Sequence, residues 1–526
     1  MILAIVIMNN LLKETVTMST TKKKNNKAKK MSLNDLIRRN FETSGKTAIH
    51  GSNIKGYIHD FTEDMLNEVN GSLKSSKKEI SKYTTDDAGN LDFFTDVFGK
   101  YVLYNTNRGR YYYWTGRVWL EDTENKIQYL ILLSMRKRRD FTKKYLANNP
   151  DCFNYSKLNS HIQSCCNQKS LRAIYENTKS TLSCSDEIFD KKTSLLNVLN
   201  GTIDLQQGKV LSHNRNDYIT KLIPIEYDEK AKSKRFEKFL NDTFGNDELK
   251  SYIKRLFGYC ITGETKEQVI HFFEGNGANG KSTLLELVRY IMNDYVEIIP
   301  SKVLTAVERA GSATPEIAKL PHKRLVCCSE LNCTDALNEG KIKIMSSGET
   351  LAARNLFSDA FTFTPEFKCI IDTNYLPRII GTDNGIWRRI RVVPFKYTVS
   401  KEKINPSLLQ ELQQDRKAIL AWLIDGAKKY YKHGLDIETC SDVKKATKKY
   451  RNEQDTIGSF INSCVEHCKN SIVKARDVYE SYKQFCDDNL LIPISETKFG
   501  KDFAARGNIQ RTRKSNSRMY VDLRLK

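Results

Sequence analysis

Residues 269–291 read VIHFFEGNGANGKSTLLELVRYI. An apolar run ending at Phe273 gives way to a loop made almost wholly of Gly and Asn, and a stretch with helical periodicity follows. Gly275, Asn276, Gly277, Ala278, Asn279, Gly280, Lys281 and Ser282 fit the spacing G-x-x-x-x-G-K-[ST] in full. Glycines open backbone conformations closed to bulkier residues, so that successive N–H groups turn inward towards phosphate oxygens. A helix beginning near Lys281 adds its N-terminal dipole to the same anion. In this pattern Lys281 reaches the β- and γ-phosphates, Ser282 coordinates Mg²⁺, and Thr283 completes the loop. The expectation is a strand–loop–helix unit holding ATP and Mg²⁺; the alternative is a chance glycine loop.

A chain of 526 residues exceeds what one core supports, which predicts two to four domains. Lys+Arg 85 against Asp+Glu 63 leaves a net charge of +22. That excess favours a polyanionic partner, with a merely solubilising surface as the bland alternative. No apolar run approaches the roughly 18 residues of a membrane span, so no membrane partner is expected. The opening MILAIVIM lacks a basic leader and a small-residue cleavage site, which argues against a signal peptide, and Met8 and Met18 are alternative starts. Thirteen Cys, odd in number and without framework spacing, suit a reducing intracellular compartment. Cys464 and Cys468 flank His467 but have no second pair nearby, and Cys165–Cys166 and Cys327–Cys328 are adjacent, so a structural zinc is not expected.

The chain divides as follows. Residues 1–45 are a basic disordered arm, with STTKKKNNKAKK a nucleic-acid or import tail or else a functionless leader. Residues 46–230 form an α+β region. RGRYYYWTGRVWLED predicts a hairpin around Thr115-Gly116, and NKIQYLILLSMRKRRDF a helix ending in Arg136 to Arg139. LLNVLNGTIDLQQGKVLSH predicts further turns at Asn200-Gly201 and Gln207-Gly208. The aromatics here are expected to be core rather than base-stacking groups. Residues 231–400 hold the phosphate loop, 401–455 a helical lid or connector, and 456–526 a small C-terminal domain. Helical spacing runs from Lys234 to Gly263 and again from Ser407 to Gly434. Strand-like runs KRLVCCSEL, FKCIIDTNYLP and RRIRVVPF alternate with helical segments after the loop, which predicts an α/β fold with a parallel sheet.

Two of these runs end in polar groups that suit phosphate chemistry. RLVCCSE ends at Glu330, and a carboxylate at the C-terminal end of a strand beside a phosphate loop can polarise an attacking water. CIIDTN ends at Asn374, placed to orient that water and sense the γ-phosphate. Arg388 and Arg389 follow, and taken alone they read as a salt-bridged surface pair.

The order of these elements resembles the superfamily 3 helicases, in the branch of phage and plasmid primase–helicases and the poxvirus-like replicative helicase–primases. The resemblance covers about residues 100–526. GYCITGETKEQVIHFFEGNGANGKST is similar to the family's entry and Walker A, LNEGKIKIMSSGETLAARNLF to its B-prime motif, FKCIIDTNYLPRI to its motif C, and DNGIWRRIRVVPF to its arginine-finger segment. The segment from Asn200 to Asp228 resembles the stretch preceding the family's ATPase, and the tail from Phe499 its winged-helix-like domain. The resemblance implies an AAA+-type P-loop ATPase core, flanked by an α+β helicase-associated region and a winged-helix-like C-terminal domain. It further implies a ring, expected to be a hexamer, moving on single-stranded or forked DNA during replication of a virus, phage or mobile element, at a site in the host cytoplasm or nucleus. A separate primase or polymerase is a further expected partner. By position, Glu330 becomes the Walker B acid and a metal-site residue with Ser282, and Asn374 the sensor. Arg388 becomes the finger towards a neighbour's nucleotide, with Arg389 its alternate. Lys343 and Arg354 are candidates for DNA contact at a channel hairpin, a contact expected to be salt-dependent and nearly sequence-blind. Ser329 departs from the pattern, standing where many Walker B motifs carry a second acid. An apolar-Asp-x-Asp pair, the mark of a primase domain in many relatives, is not found in residues 1–230. The rival functions are a DNA-stimulated ATPase that assembles at an origin without unwinding, and an RNA-directed motor.

Overall fold

The structure, a computed structural model, describes residues 63–305, 313–329, 331, 336–356, 359–379, 384–399, 402, 405–489, 491–506, 509–514 and 517–526. The basic arm lies outside the described residues, as does Glu330.

The N-terminal region packs helices around a sheet of order β3-β2-β1-β4. Strands β1 (Val102–Asn105), β2 (Arg110–Trp114) and β3 (Trp119–Glu121) run antiparallel, and β4 (Ser183–Cys184) joins β1 in parallel. The β2–β3 turn falls at Thr115-Gly116, with Gly116 at φ +95. Tyr111 to Trp114 and Trp119 are buried with Phe93, Phe94 and Phe98, so these aromatics are core. One sequence expectation needs correction here. The helix over the basic run does not end at Arg136–Arg139 but spans Lys126–Asn148. Arg138 is buried inside it, its Nη1 donating to Asn90 Oδ1 at 2.6 Å and its Nη2 to the Thr84 carbonyl at 2.5 Å. Burial pulls this guanidinium down to about 10. A cation held through both terminal nitrogens by local acceptors is thus part of the core rather than a helix stop.

A three-stranded meander follows, β5 (Leu195–Val198), β6 (Gly201–Asp204) and β7 (Lys209–Leu211). The next periodic stretch is two helices rather than one. Lys234–Phe244 stops at Gly245, at φ +61, and Asn246 caps Asp247–Cys260 by accepting from the Leu249 N–H. Likewise the stretch before Gly434 breaks at Asp415, between Leu408–Gln414 and Arg416–His433, where the Asp415 carboxylate accepts from Ser233 Oγ at 2.6 Å. Helices Asp247–Cys260 and Arg416–His433 cross at Gly258 and Gly426. A Cβ added at Gly258 would lie 2.0 Å from the Gly426 carbonyl carbon, so the two backbones touch.

The centre of the molecule is a five-stranded, wholly parallel sheet of order β14-β8-β13-β10-β9. Its strands are β8 (Ile270–Glu274), β9 (Val296–Ile299), β10 (Leu325–Ser329), β13 (Lys368–Thr373) and β14 (Ile390–Pro394). Strands β8, β10, β13 and β14 read as near-continuous apolar runs, which is why the sequence shows them plainly, whereas the edge strand β9, with Glu297 and an exposed Ile298, carries no such run and is not among the strands the sequence suggests. Between β10 and β13 the chain makes helix Glu339–Ser347 and a hairpin, β11 (Leu351–Arg354) with β12 (Ala360–Phe363). Helix Ser441–Gln454 packs on β14 and leads to the C-terminal residues. These have their own core of Phe460, Tyr482, Phe499, Phe503 and Tyr520. There, helices Thr456–Cys464, Ala475–Asp488 and Glu496–Arg506 pack with an antiparallel sheet of order β15-β17-β16 (Val465–Lys474, Ser517–Leu525, Arg511–Lys514). Among the described residues, no group of three or more His, Cys, Asp and Glu could hold a metal ion, and no helix is long and apolar enough to cross a membrane.

Candidate nucleotide site

The loop between β8 and helix Lys281–Met292 is held from one side by the chain that follows β14. The Phe395 N–H donates to the Glu274 carbonyl at 2.7 Å, and the Val399 N–H to the Ala278 carbonyl at 2.9 Å. Asn279 is buried, its Nδ2 donating to the Phe395 carbonyl at 3.3 Å while its Oδ1 accepts from the Lys281 N–H at 3.3 Å. A Cβ on Gly275 would meet Asn279 Nδ2 at 2.3 Å and the Phe395 carbonyl oxygen at 2.5 Å, so glycine is required there for packing. Gly280 takes φ +81 at the start of the helix and supplies no side chain to cap it. Ala278 has φ +58, a left-handed conformation costly for a residue with a Cβ, of the kind that accumulates at ligand-binding loops. Asn276 and Gly277 are exposed, and nothing lies within 4 Å of where a Gly277 Cβ would stand.

Lys281 is only 4% exposed and turns across the loop. Its Nζ donates to the Gly275 carbonyl at 2.7 Å, the Thr373 carbonyl at 3.1 Å and Asn374 Oδ1 at 3.0 Å. It also pairs with Asp372 Oδ1 at 3.2 Å. Ser282 is exposed, and its Oγ donates to Asp372 Oδ2 at 3.0 Å. Thr283, the next residue, is partly buried in the first turn of the helix. Sheet order explains this convergence. β13 is the strand beside β8, and its register sets Asp372 beside Phe273 and Thr373 beside Glu274, so the β13 terminus opens directly onto the loop. Glu274 itself is partly buried, and burial raises its carboxyl group.

The structure therefore brings Lys281, Ser282 and Asn374 together. Asp372 joins them, a residue that motif matching passed over. The signal was present: alternate residues of a strand share a face, so the acid two positions before Asn374 points where Asn374 points. Ser329 lies at the end of β10, in register with Asp372 across the strand pair, and the next residue is Glu330.

The two arginines lie elsewhere. Ile390, just after them, is in register with Ile270 at the opening of β8, whereas Pro394 is in register with Glu274 beside the loop. Four strand residues, about 13 Å, separate these two ends. Arg388 is exposed there; Arg389 is 8% exposed, with Nη1 donating to the Gly385 carbonyl at 2.6 Å. Arg354 is exposed at the end of β11, its backbone N–H donating to Thr314 Oγ1 at 3.0 Å. Lys343 is partly buried on helix Glu339–Ser347, not on the hairpin.

Three family profiles match separate parts of the chain. "D5 N terminal like" covers residues 92–245, a family of unknown function covers 273–389, and "Poxvirus D5 protein-like" covers 452–522. Among curated relatives, a putative helicase of Acanthamoeba polyphaga mimivirus is 28% identical over 325 residues, 57% of this chain and 34% of that one. The primase D5 of fowlpox virus is 28% identical over 377 residues, 64% of this chain and 44% of that one. A putative primase of African swine fever virus is 23% identical over 329 residues, 58% of this chain and 34% of that one. The matched region thus spans less than half the length of each of these relatives. Among solved structures, the NrS-1 C terminal region aligns with a TM-score of 0.37 at 12% identity, over 58% of this chain and 80% of that one.

Proposed function

We propose that the chain, which is similar over its matched parts to poxvirus D5-like proteins and to viral proteins named putative helicase and primase, is an ATP-dependent DNA helicase of superfamily 3, with an AAA+-type core working as a ring, taken to be a hexamer. The observation that carries the proposal is the meeting of Lys281 and Ser282 with Asp372 and Asn374 at the end of β13. The sheet order β14-β8-β13-β10-β9 supports it, because it sets the end of β13 next to the loop and the end of β10, at Ser329, beside the end of β13.

In this proposal the loop amides cradle the phosphates, and Lys281 offsets the negative charge that develops on the terminal phosphate. Ser282 Oγ and Asp372 Oδ2 are hard oxygen donors that suit Mg²⁺, which when bound neutralises charge on the phosphate oxygens. Glu330 polarises the attacking water and Asn374 orients it. The placement of Arg388 and Arg389 at the far end of the sheet from their own loop supports action on a neighbouring subunit's nucleotide. The +22 charge and the exposed Arg354 of the β11–β12 hairpin support contact with DNA phosphates.

Forked DNA, ATP and Mg²⁺ test the whole proposal in one strand-displacement assay, with Lys281→Ala as the inactive control. Displacement by the wild type and none by the variant is expected. DNA-stimulated hydrolysis without displacement would instead favour an origin-assembly ATPase, and displacement of RNA alone an RNA motor.

A further inference from the structure

We infer that Tyr397 is the platform on which the base of the bound nucleotide stacks. This rests on the proposal that the loop holds a nucleoside triphosphate. Lys281 and Ser282 turn towards Asp372 and Asn374, so the terminal phosphate belongs on the β13 side of β8. β14 flanks β8 on the opposite side. A triphosphate laid along the loop with its reactive end towards β13 directs its nucleoside towards the chain leaving β14.

That chain runs alongside the loop, with Phe395 bonded to Glu274 and Val399 to Ala278. Tyr397 lies midway between these two bonds. Its side chain is not part of the core: the residue is 51% exposed, unusual for a large aromatic beside a buried sheet. The hydroxyl end of the ring rests on Gly245, where an added Cβ would come within 2.5 Å of Cζ and 2.6 Å of Oη. Gly245, at φ +61, thus lets the ring lie close against the turn. Asp442 ties the segment to the Gly245 turn, accepting from Lys396 Nζ through Oδ1 at 2.6 Å and from Asn246 Nδ2 through Oδ2 at 2.8 Å, so the segment carrying the ring is held against that turn. Tyr375 is also exposed, but it follows Asn374 on the terminal-phosphate side, the wrong side for a base. Stacking is tolerant of base identity, since every base has a π-face, so Tyr397 confers affinity for nucleotides in general over bare phosphate chains.

The test is equilibrium binding of ATP and of inorganic tripolyphosphate, each with Mg²⁺, to the wild type, Tyr397→Ala and Tyr397→Phe. Stacking on an aromatic side chain contributes on the order of tenfold or more in affinity. Tyr397→Ala should therefore bind ATP about tenfold more weakly, Tyr397→Phe should bind it nearly as the wild type does, and all three should bind tripolyphosphate alike. Unchanged ATP affinity in Tyr397→Ala overturns the assignment. Equal loss of ATP and tripolyphosphate also overturns it, because Tyr397 would then only support the loop. A wild type that binds neither ligand defeats the nucleotide site itself, and this assignment with it.

Discussion

Asp372 meets two neighbouring side chains of the glycine-rich loop, Lys281 through Oδ1 at 3.2 Å and Ser282 through Oδ2 at 3.0 Å. One carboxylate thus sets the position of the ammonium and of the hydroxyl together. Asp372→Asn should keep the fold, because an amide can still accept from Ser282, yet it loses the charge that pairs with Lys281. ATP turnover is expected to fall by on the order of tenfold or more, and the Mg²⁺ concentration for half-maximal rate to rise. Lys281→Ala, measured alongside, should abolish turnover outright. Wild-type turnover and Mg²⁺ dependence in Asp372→Asn would remove this residue from the site.

Arg388 and Arg389 should separate cleanly. Arg389 is buried and bonded to Gly385, so Arg389→Ala should lower thermal stability. Arg388 is exposed, so Arg388→Ala should fold normally, bind ATP and lose turnover by on the order of 10³-fold, as for other fingers in trans. Mixed with Lys281→Ala, Arg388→Ala should recover part of the activity, since an intact loop on one subunit then meets an intact arginine on the next. An Arg388→Ala protein that is fully active, or an active species that sediments as a monomer, contradicts the ring.

The Gly258–Gly426 crossing should be intolerant of a methyl group. Gly258→Ala forces two helix backbones apart and should cost about 1–3 kcal/mol, read as a Tm lower by several degrees. Gly71→Ala is the control. It lies in helix Glu63–Lys78 with nothing within 4 Å of the new Cβ, and it should be neutral or stabilising by about 0.5–1 kcal/mol. Equal Tm values for the two variants would show that the crossing can relax.

His271 sits on β8 with no exposed surface, its Nε2 3.0 Å from Tyr252 Oη. Burial, reinforced by Arg391, pushes its imidazole down to about 3. The folded protein therefore holds it neutral, whereas below about pH 6.5 the unfolded chain takes up a proton. Its contribution to stability is complete above pH 6.5 and is lost as pH falls towards 3, by at most about 1.4 kcal/mol per pH unit. His161, pulled down to about 4 by its own burial, acts in the same direction. The comparison that isolates His271 is the fall in urea midpoint between pH 7.5 and 5.5 in His271→Gln and in the wild type. The variant should show the smaller fall, and equal falls would refute the assignment.

Local signals carried the site further than they carried the architecture. The glycine spacing identified the loop, and buried parallel strands announced themselves as apolar runs because nothing on either face had to be polar. Asp372 was legible through strand alternation but was passed over, since the pattern directed attention to the acid after β10. Tyr397 could not be found in this way. Its place beside the loop exists only because Phe395 and Val399 bond Glu274 and Ala278 on either side of it, a pairing decided by tertiary packing. The same holds for Arg138, whose place in a cationic run gave no sign that Asn90 and Thr84 would receive it in the core. Helix breaks at Gly245 and Asp415 were hidden because the apolar period continues across them while the backbone does not.

β10 and β13 are neighbours in the sheet, yet the chain between them leaves at Ser329, the end of one strand, and returns at Lys368, the start of the other. The β11–β12 hairpin hangs from this excursion. A force drawn through the hairpin by a moving strand of DNA would therefore pull the two strands along their lengths in opposite directions. Five register pairs, from Leu325 with Lys368 to Ser329 with Asp372, would carry that load together in shear instead of opening one after another like a zip. Of the ways to attach a loaded arm to a sheet, this is the mechanically stiff one, and one of its two anchor points, Ser329, lies at the same end of the sheet as the loop after β8.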